Sequence, residues 1–337
     1  MAPPTRRRRP PRDPTWRPAG PPPRRPPSPP GGHRPVLVEE VLQALAPAAS
    51  GIVVDATVGL GGHAAAILQR FPAARVVGLD VDPAALATAR QVLAPFGERA
   101  SLVEVSYEKL AAVLGELGIA SVDGVLFDLG VSSLQLDTPE RGFSFRLDAP
   151  LDMRFAPQGL TAAEWLETVS EEELVRALRD FGEEPAARRI ARAIANARRR
   201  GPIRTTLELR QIVLAASRRR GGRTDPATRT FQAVRIATNR ELEALPGALA
   251  QATALLRPAG RLAVIAFHSI EDRLVKTTMR RLTGRCVCPP GTVRCSCSPQ
   301  ALLELVTTKP VRPSAAEVAA NPRARSARLR VAERRGG

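Results

Sequence analysis

Short apolar runs recur along the chain at Ile52 to Ala56, Arg75 to Asp80, Ser101 to Val105, Val122 to Asp128 and Arg261 to Phe267. Helical patterns separate the first four, at His63 to Gln69, Pro83 to Leu93 and Tyr107 to Leu117. Runs that are apolar almost throughout suit strands buried on both faces, and strands alternating with helices build a parallel sheet covered by those helices. Pro83 stands where a first-turn proline is tolerated. The expected fold is α/β, with a doubly wound, mostly parallel, Rossmann-like sheet.

After Asp128 the rhythm changes, and no strand-like run follows for about 130 residues. Thr161 to Phe181, Glu183 to Arg200 and Thr205 to Arg219 read as amphipathic helices, punctuated by Gly182, Gly201-Pro202 and Gly221-Gly222. One long helix is expected from Pro226 to about Leu256, leading through Pro258-Ala-Gly260 into the last strand. The chain therefore divides into a tail (1–32), the first part of the α/β domain (33–135), a helical insertion domain (136–225) and the second part of the α/β domain (226–337).

The tail holds thirteen prolines, eight arginines and one aspartate. Such a composition buries too little apolar surface to offset its ordering entropy, so disorder is expected there. The tail carries seven of the seventeen net positive charges. The remaining excess of ten points to a polyanion, nucleic acid first, because clustered cations gain affinity by releasing phosphate counterions. Arg188 to Arg200 and Arg218 to Arg223 are the candidate phosphate contacts, with a solvated helix face as the plain alternative. No apolar run approaches the roughly 18 residues a membrane span needs, and the start lacks the apolar stretch of a secretory signal, so a cytoplasmic protein with no membrane partner is expected.

In a parallel sheet the ligand lies beyond the carboxyl ends of the strands. The first strand runs into Asp55-Ala-Thr-Val-Gly-Leu-Gly-Gly-His63, where Gly59, Gly61 and Gly62 permit a tight turn and close backbone approach at a helix N-terminus. Gly59-x-Gly61-x-x-Ala64 also meets the relaxed dinucleotide fingerprint, so a nicotinamide enzyme stands as a rival. Asp80 ends the second strand, where a carboxylate accepts from ribose hydroxyls with either cofactor; capping the helix at Pro83 is the alternative for Asp80, and more obviously for Asp82. Asp128 ends the fourth strand in Phe127-Asp-Leu-Gly-Val-Ser-Ser133, placed to contact a cofactor or to accept from an exocyclic amine; a turn-forming role is the alternative. His268, after the last strand, reaches the same edge as a catalytic candidate or a structural histidine. Cys286, Cys288, Cys295 and Cys297 form two CxC pairs whose spacing differs from CxxC zinc ribbons, and no metal is assigned to them.

Eight ordered stretches resemble the RsmH (MraW) family, the bacterial small-subunit rRNA cytosine-N4 methyltransferases. They are His33-Arg-Pro-Val-Leu37, Asp55 to His63, Asp128 to Ser133 with Gln135-Leu-Asp137, and Arg141-Gly-Phe-Ser-Phe145. Pro150-Leu-Asp-Met-Arg154, Thr228 to Arg235, Phe267 to Arg273 and Asn321-Pro-Arg-Ala-Arg-Ser326 complete the set, which spans nearly everything after residue 32. The resemblance implies S-adenosylmethionine as cofactor, with contacts at Gly61, Gly62, His63, Asp80, Tyr107, Asp128 and Gln135. Tyr107 stands where the family commonly has an aromatic, suited to packing near adenine. The implied substrate is a cytidine of the decoding centre in small-subunit rRNA or the small ribosomal subunit, methylated at N4. Phe155 departs from the family, which often has Met there. A methyltransferase for another RNA site, and a non-catalytic RNA-binding assembly factor, are the competing expectations.

Overall fold

A computed structural model describes residues 34–217, 225–286, 288, 292 and 301–336. The expected disordered tail, Arg218 to Arg223, Cys295 and Cys297 lie outside these residues. A single sheet forms from β1 (Ile52–Asp55), β2 (Arg75–Asp80), β3 (Ala100–Glu104), β4 (Val122–Asp128), β5 (Leu256–Ala266), β6 (Leu303–Leu305) and β7 (Arg328–Arg334), in the order β3-β2-β1-β4-β5-β7-β6. The first five strands are parallel, and β7 runs antiparallel to both β5 and β6.

The two-residue period of the strands builds two cores. Val53, Val76, Leu126, Ala263 and Ile265 enter one, under the early helices α1 (Val38–Ala44) and α2 (Gly62–Arg70) and the end of α3 (Pro83–Leu93). Val54, Val77, Phe127, Leu262 and Val264 enter the other, under α4 (Leu110–Glu116) and the later helices. Each fully buried apolar side chain of this kind contributes ~1.5–3 kcal/mol, so continuous Val/Ile/Leu runs are what a doubly covered sheet selects. The doubly wound expectation is met. β6 and β7 are additional to the expected strands; in β7, Arg330 lies buried against Asp272 (2.6 and 3.1 Å), which hides the strand's apolar period behind charge.

Beyond β4 come the short α5 (Ser133–Asp137) and then α6 (Ala162–Thr168), α7 (Glu171–Asp180), α8 (Ala187–Arg198), α9 (Thr206–Ser217) and α10 (Ala227–Asn239). The helix expected over Thr161 to Phe181 is two helices. Val169 is extended, and Ser170 starts α7 with a capping box to Glu173, repeating the Thr161–Glu164 box that starts α6. The expected long helix from Pro226 is likewise divided, at Arg240 (φ 51°), into α10 and α11 (Glu241–Leu255). Arg235 pairs bidentately with Glu241 across that break, at 2.9 Å for each contact. The expected boundary at 225 precedes α10, whose Phe231 and Val234 are buried with Leu166, Leu174, Ile190 and Val213. The helical core therefore extends to residue 234. The chain closes with α12 (Ser269–Leu282) and α13 (Ala315–Ala320), and Glu317 and Asn321 hold the N-terminal segment by accepting from Leu37 N–H and donating to the Arg34 carbonyl.

The link from β4 into the helical module is packed backbone against backbone. Gly142 has φ +70°, and a Cβ there would lie 2.4 Å from the Pro150 carbonyl oxygen and 2.7 Å from Asp152 N. Gly142→Ala combines left-handed strain with a clash that flexible side chains cannot relieve. It should cost at least ~2 kcal/mol and lower the thermal midpoint by several degrees in a differential scanning measurement.

Candidate active site

The turn after β1 is stapled to its neighbours before any ligand is considered. Ala56 N–H donates to the Leu126 carbonyl and Val58 N–H to that of Leu79, each at 2.8 Å, while Asp128 N–H donates to Thr57 Oγ1 at 2.6 Å. Gly59 takes φ +51° and sends its N–H to Asp80 Oδ2 at 2.8 Å; Asp80 Oδ1 accepts from Asp82 N–H at 2.9 Å. Burial raises the Asp80 pKa above the ordinary carboxylate value, and those backbone bonds oppose the rise. Around this turn opens a cavity of about 760 Å³ at the carboxyl ends of β1, β2, β3 and β4, of the size that small-molecule sites occupy.

His63 lies at the start of α2, 5% exposed. Its Nε2 donates to the Val36 carbonyl at 2.9 Å, and its Nδ1 is 3.4 Å from Asp128 Oδ2. Burial disfavours the charged imidazole. The hydrogen bond and charge of Asp128, the charge of Asp55 and the Val36 carbonyl outweigh it, raising the pKa to about 9. Asp55, also buried, is pushed up to about 7 by desolvation, with His63 pulling down and Asp128 pushing further up. The imidazole thus lies between two carboxyl groups. Among the described residues no group donates to Asp128 Oδ1, which is shielded from solvent.

The structure gathers most of the sequence candidates on this cavity: Gly62, His63, Asp80, Tyr107, Asp128 and Gln135 all line it. Tyr107 is half-buried, edge-on to Phe127 with ring centroids 5.8 Å apart, and its hydroxyl donates to the Glu241 carbonyl at 3.5 Å. Gln135 is committed within the fold. Its Oε1 accepts from Ser132 N–H and its Nε2 donates to Asp82 Oδ2.

Two candidates stand elsewhere. Gly61 does not line the wall; a Cβ on it would lie 3.3 Å from Ala89 Cα, so it serves the packing of the turn on α3. His268 caps α12: Nδ1 accepts from Glu271 N–H, Nε2 is 3.0 Å from Glu271 Oε1, and Glu271 Oε2 accepts from the N–H groups of Phe267 and His268. His268 does not line the cavity, whereas Glu271 does.

Several wall residues are not read as site residues from the sequence. Phe155, Thr238 and Asn239 come from the helical module, and Asn321 and Ser326 from the C-terminal segment. They lie about 90 to 270 residues from the glycine turn, and only the tertiary fold brings them to it. Asp82 takes the cap role expected of it, accepting from Ala84 N–H, and is also a hub. Its Oδ2 receives Gln135 Nε2 at 3.0 Å and Arg141 Nη1 at 2.8 Å.

The donor set separates the two rival cofactors. In a dinucleotide site the glycine-loop N–H groups and a helix N-terminus meet a pyrophosphate. Here the Gly59 N–H is taken by Asp80, and Asp55, Asp80 and Asp128 cluster at the strand ends with a single buried cation, His63, among them. A pyrophosphate there meets carboxylates. A cofactor bearing a sulfonium and an ammonium group, as S-adenosylmethionine does, fits the same charges.

Residues 31–335 match the MraW methylase family. Among curated proteins, the chain is 53% identical over 305 residues to a ribosomal RNA small subunit methyltransferase H from Symbiobacterium thermophilum, covering 89% of this chain and 95% of that protein. Proteins of the same description from Thermomicrobium roseum and Geobacter sulfurreducens are each 51% identical. They cover 90% of this chain and 93% and 98% of their own lengths.

The charged imidazole makes stability depend on pH in a defined direction. His63 titrates at about 9 in the fold and near 6.5 when unfolded. Its contribution is therefore complete below about pH 6.5 and disappears as pH rises through about 9. Urea unfolding of wild type and His63→Gln should give a larger stability difference at pH 6 than at pH 10. An equal difference at both would show that the imidazole is buried neutral.

Proposed function

The chain belongs to the MraW methylase family, and on that premise we propose that it transfers a methyl group from S-adenosylmethionine to the N4 amino group of a cytidine in the decoding centre of small-subunit (16S) rRNA. The observation that carries this reading is the Asp128 carboxylate. It ends β4, lines the cavity beside His63 and keeps 24% of its side chain exposed. An exocyclic amine is a hydrogen-bond donor that such an acceptor orients, whereas a carbonyl or phosphate oxygen would meet it with repulsion.

Asp80 would hold the ribose hydroxyls of the cofactor, Tyr107 would flank the adenine, and the turn from Gly59 to His63 with Asp128 would enclose the methionine end. The cofactor supplies an electrophilic methyl carbon on a sulfonium. What remains for the protein is alignment, which alone is worth several powers of ten in rate. Cytosine N4 is a weak nucleophile because its lone pair is delocalised into the ring. By accepting one N–H, Asp128 turns the nitrogen lone pair toward the methyl group and stands ready to take the proton that the methylated amine must lose. His63, held by the Val36 carbonyl, lies 3.4 Å from Asp128 Oδ2 and keeps the carboxyl group in place for this role.

The target base has to leave any stack to reach a cavity this deep, at a cost of a few kcal/mol in a duplex and less in a loop. Cations for the flanking phosphates are at hand. Arg188, Arg192 and Arg200 are exposed, α8 carries no carboxylate, and among the described residues none of the three forms an ion pair. Among those residues, too, no helix is long and apolar enough to cross a membrane, in keeping with a partner such as the small ribosomal subunit.

The test is methyl transfer from labelled S-adenosylmethionine to small subunits lacking the modification, followed by nucleoside mass spectrometry. Label should appear as N4-methylcytidine and vanish in Asp80→Ala together with cofactor binding. Asp128→Asn should lower kcat by roughly 100-fold or more at saturating cofactor. Label on another nucleoside would reassign the acceptor, and measurable cofactor binding without transfer to subunits or free rRNA would indicate a non-catalytic assembly role.

A further inference from the structure

The cavity has two walls of different character. The strand-end turns form one, with their carboxylates; the helical module forms the other, where Phe155 offers a flat apolar surface. One face of Phe155 is covered by Phe143, with ring centroids 5.6 Å apart and planes 16° from parallel, and Phe143 is itself 8% exposed. Phe155 remains only partly buried and lines the cavity. Aromatic rings backed on one side and open on the other are what single-stranded nucleic-acid sites use to stack a base.

The mounting of this ring is unusually firm for a loop outside helix and strand. Five hydrogen bonds grip residues 153–155 from two directions. Arg141 Nη2 donates to the carbonyls of Arg154 and Phe155, and the Arg141 carbonyl accepts from Met153 N–H. From α10, Asn239 Oδ1 accepts from Phe155 N–H, and its Nδ2 donates to the Met153 carbonyl. Met153 is held at φ +60° within this grip, a left-handed conformation that non-glycine residues adopt at a cost. Arg141 is simultaneously bound to Asp82, whose N–H is on Asp80, so the mount shares a frame with the cofactor-side turn. Arg154 is no alternative anchor for a substrate phosphate. Its guanidinium is taken by Asp152 and by the carbonyls of Pro157 and Gly159.

We propose that Phe155 is the stacking platform for the extruded acceptor base, a pyrimidine, and that Arg141 and Asn239 are the positioning residues that fix it opposite the cofactor-side wall. This assignment rests on the methyl-transfer reading above and adds the binding site for its second substrate. The surface at position 155 can be an aromatic ring or the polarisable thioether of Met, which the family often has here; a branched aliphatic side chain does not replace either.

The full-length protein should be assayed with Phe155→Leu and Phe155→Trp, measuring kcat and KM on unmodified small subunits and the affinity for S-adenosylhomocysteine by calorimetry. Phe155→Leu should raise KM and lower kcat/KM by roughly tenfold or more, the scale of a lost base-aromatic stack, with S-adenosylhomocysteine affinity within twofold of wild type. Phe155→Trp should retain most of the wild-type kcat/KM. Wild-type kinetics in Phe155→Leu would overturn the platform while leaving the methyltransferase reading intact. A parallel loss of S-adenosylhomocysteine affinity would place the ring on the cofactor side instead. Absence of transfer by the wild-type protein to any RNA would overturn the underlying reading and this site with it.

Discussion

A charged imidazole, His63, held among two carboxylates and one carbonyl, fixes the relative positions of four separate segments. Val36 belongs to the N-terminal strap, Asp55 to β1, His63 to α2 and Asp128 to β4. Desolvation of each group is costly by itself, and the arrangement persists because the charges compensate one another; removing one partner of such a buried set typically costs ~3–5 kcal/mol. The same compensation determines the chemistry. Neutral His63 would remove the pull that opposes the upward shift of Asp55 and leave the carboxyl groups of Asp55 and Asp128 with no cation between them. Stability and reactivity are two readings of one electrostatic cluster.

A second network does for the far wall what His63 does for the near one. Asp82 caps α3 and gathers Gln135 and Arg141, and through Arg141 it reaches the backbone of residues 154 and 155. Asp80 and Asp82 divide two tasks that look interchangeable at the end of a strand. Asp80 lines the cavity with both oxygens already oriented by backbone N–H groups, and Asp82, 1% exposed, turns inward to hold the frame.

What the sequence reveals follows from how far each signal reaches along the chain. The five parallel strands are legible because burial on both faces writes uninterrupted Val, Ile and Leu runs. β7 is not, because Arg328, Arg330 and Arg334 interrupt its alternation and only the Asp272 pairing makes a buried Arg330 tolerable. The break between α6 and α7 is local and carries a sign, Ser170-Glu-Glu-Glu173, yet the longer amphipathic period masks it. The break at Arg240 carries almost none, since the left-handed turn falls on Arg rather than Gly. Of the site, the strand-end residues Asp80 and Asp128 are legible because topology alone puts them there. His268 shows the limit of that argument: it reaches the strand end as expected, but His268-Ser-Ile-Glu271 has the spacing of a capping box, and its Nδ1 caps the helix that follows.

The position of the helical module follows from the order of the sheet. Strand order reverses between β1 and β4, and in open parallel sheets the ligand crevice opens at that reversal. Asp55 and Asp128 stand on its two sides. A module inserted directly after β4 leaves the sheet at the crevice through α5 and Arg141, and it returns through α10 to Asn239 and Glu241, which also line the cavity. Both of its tethers are therefore anchored at the site, and its wall is supplied by residues next to those tethers, not by its distant helices. Inserting the same helices after β2 or β3 would hang them at the edge of the sheet. Placed where it is, the module can be small, rigid near its tethers and free to present a basic outer surface, because the two jobs fall on different parts of it.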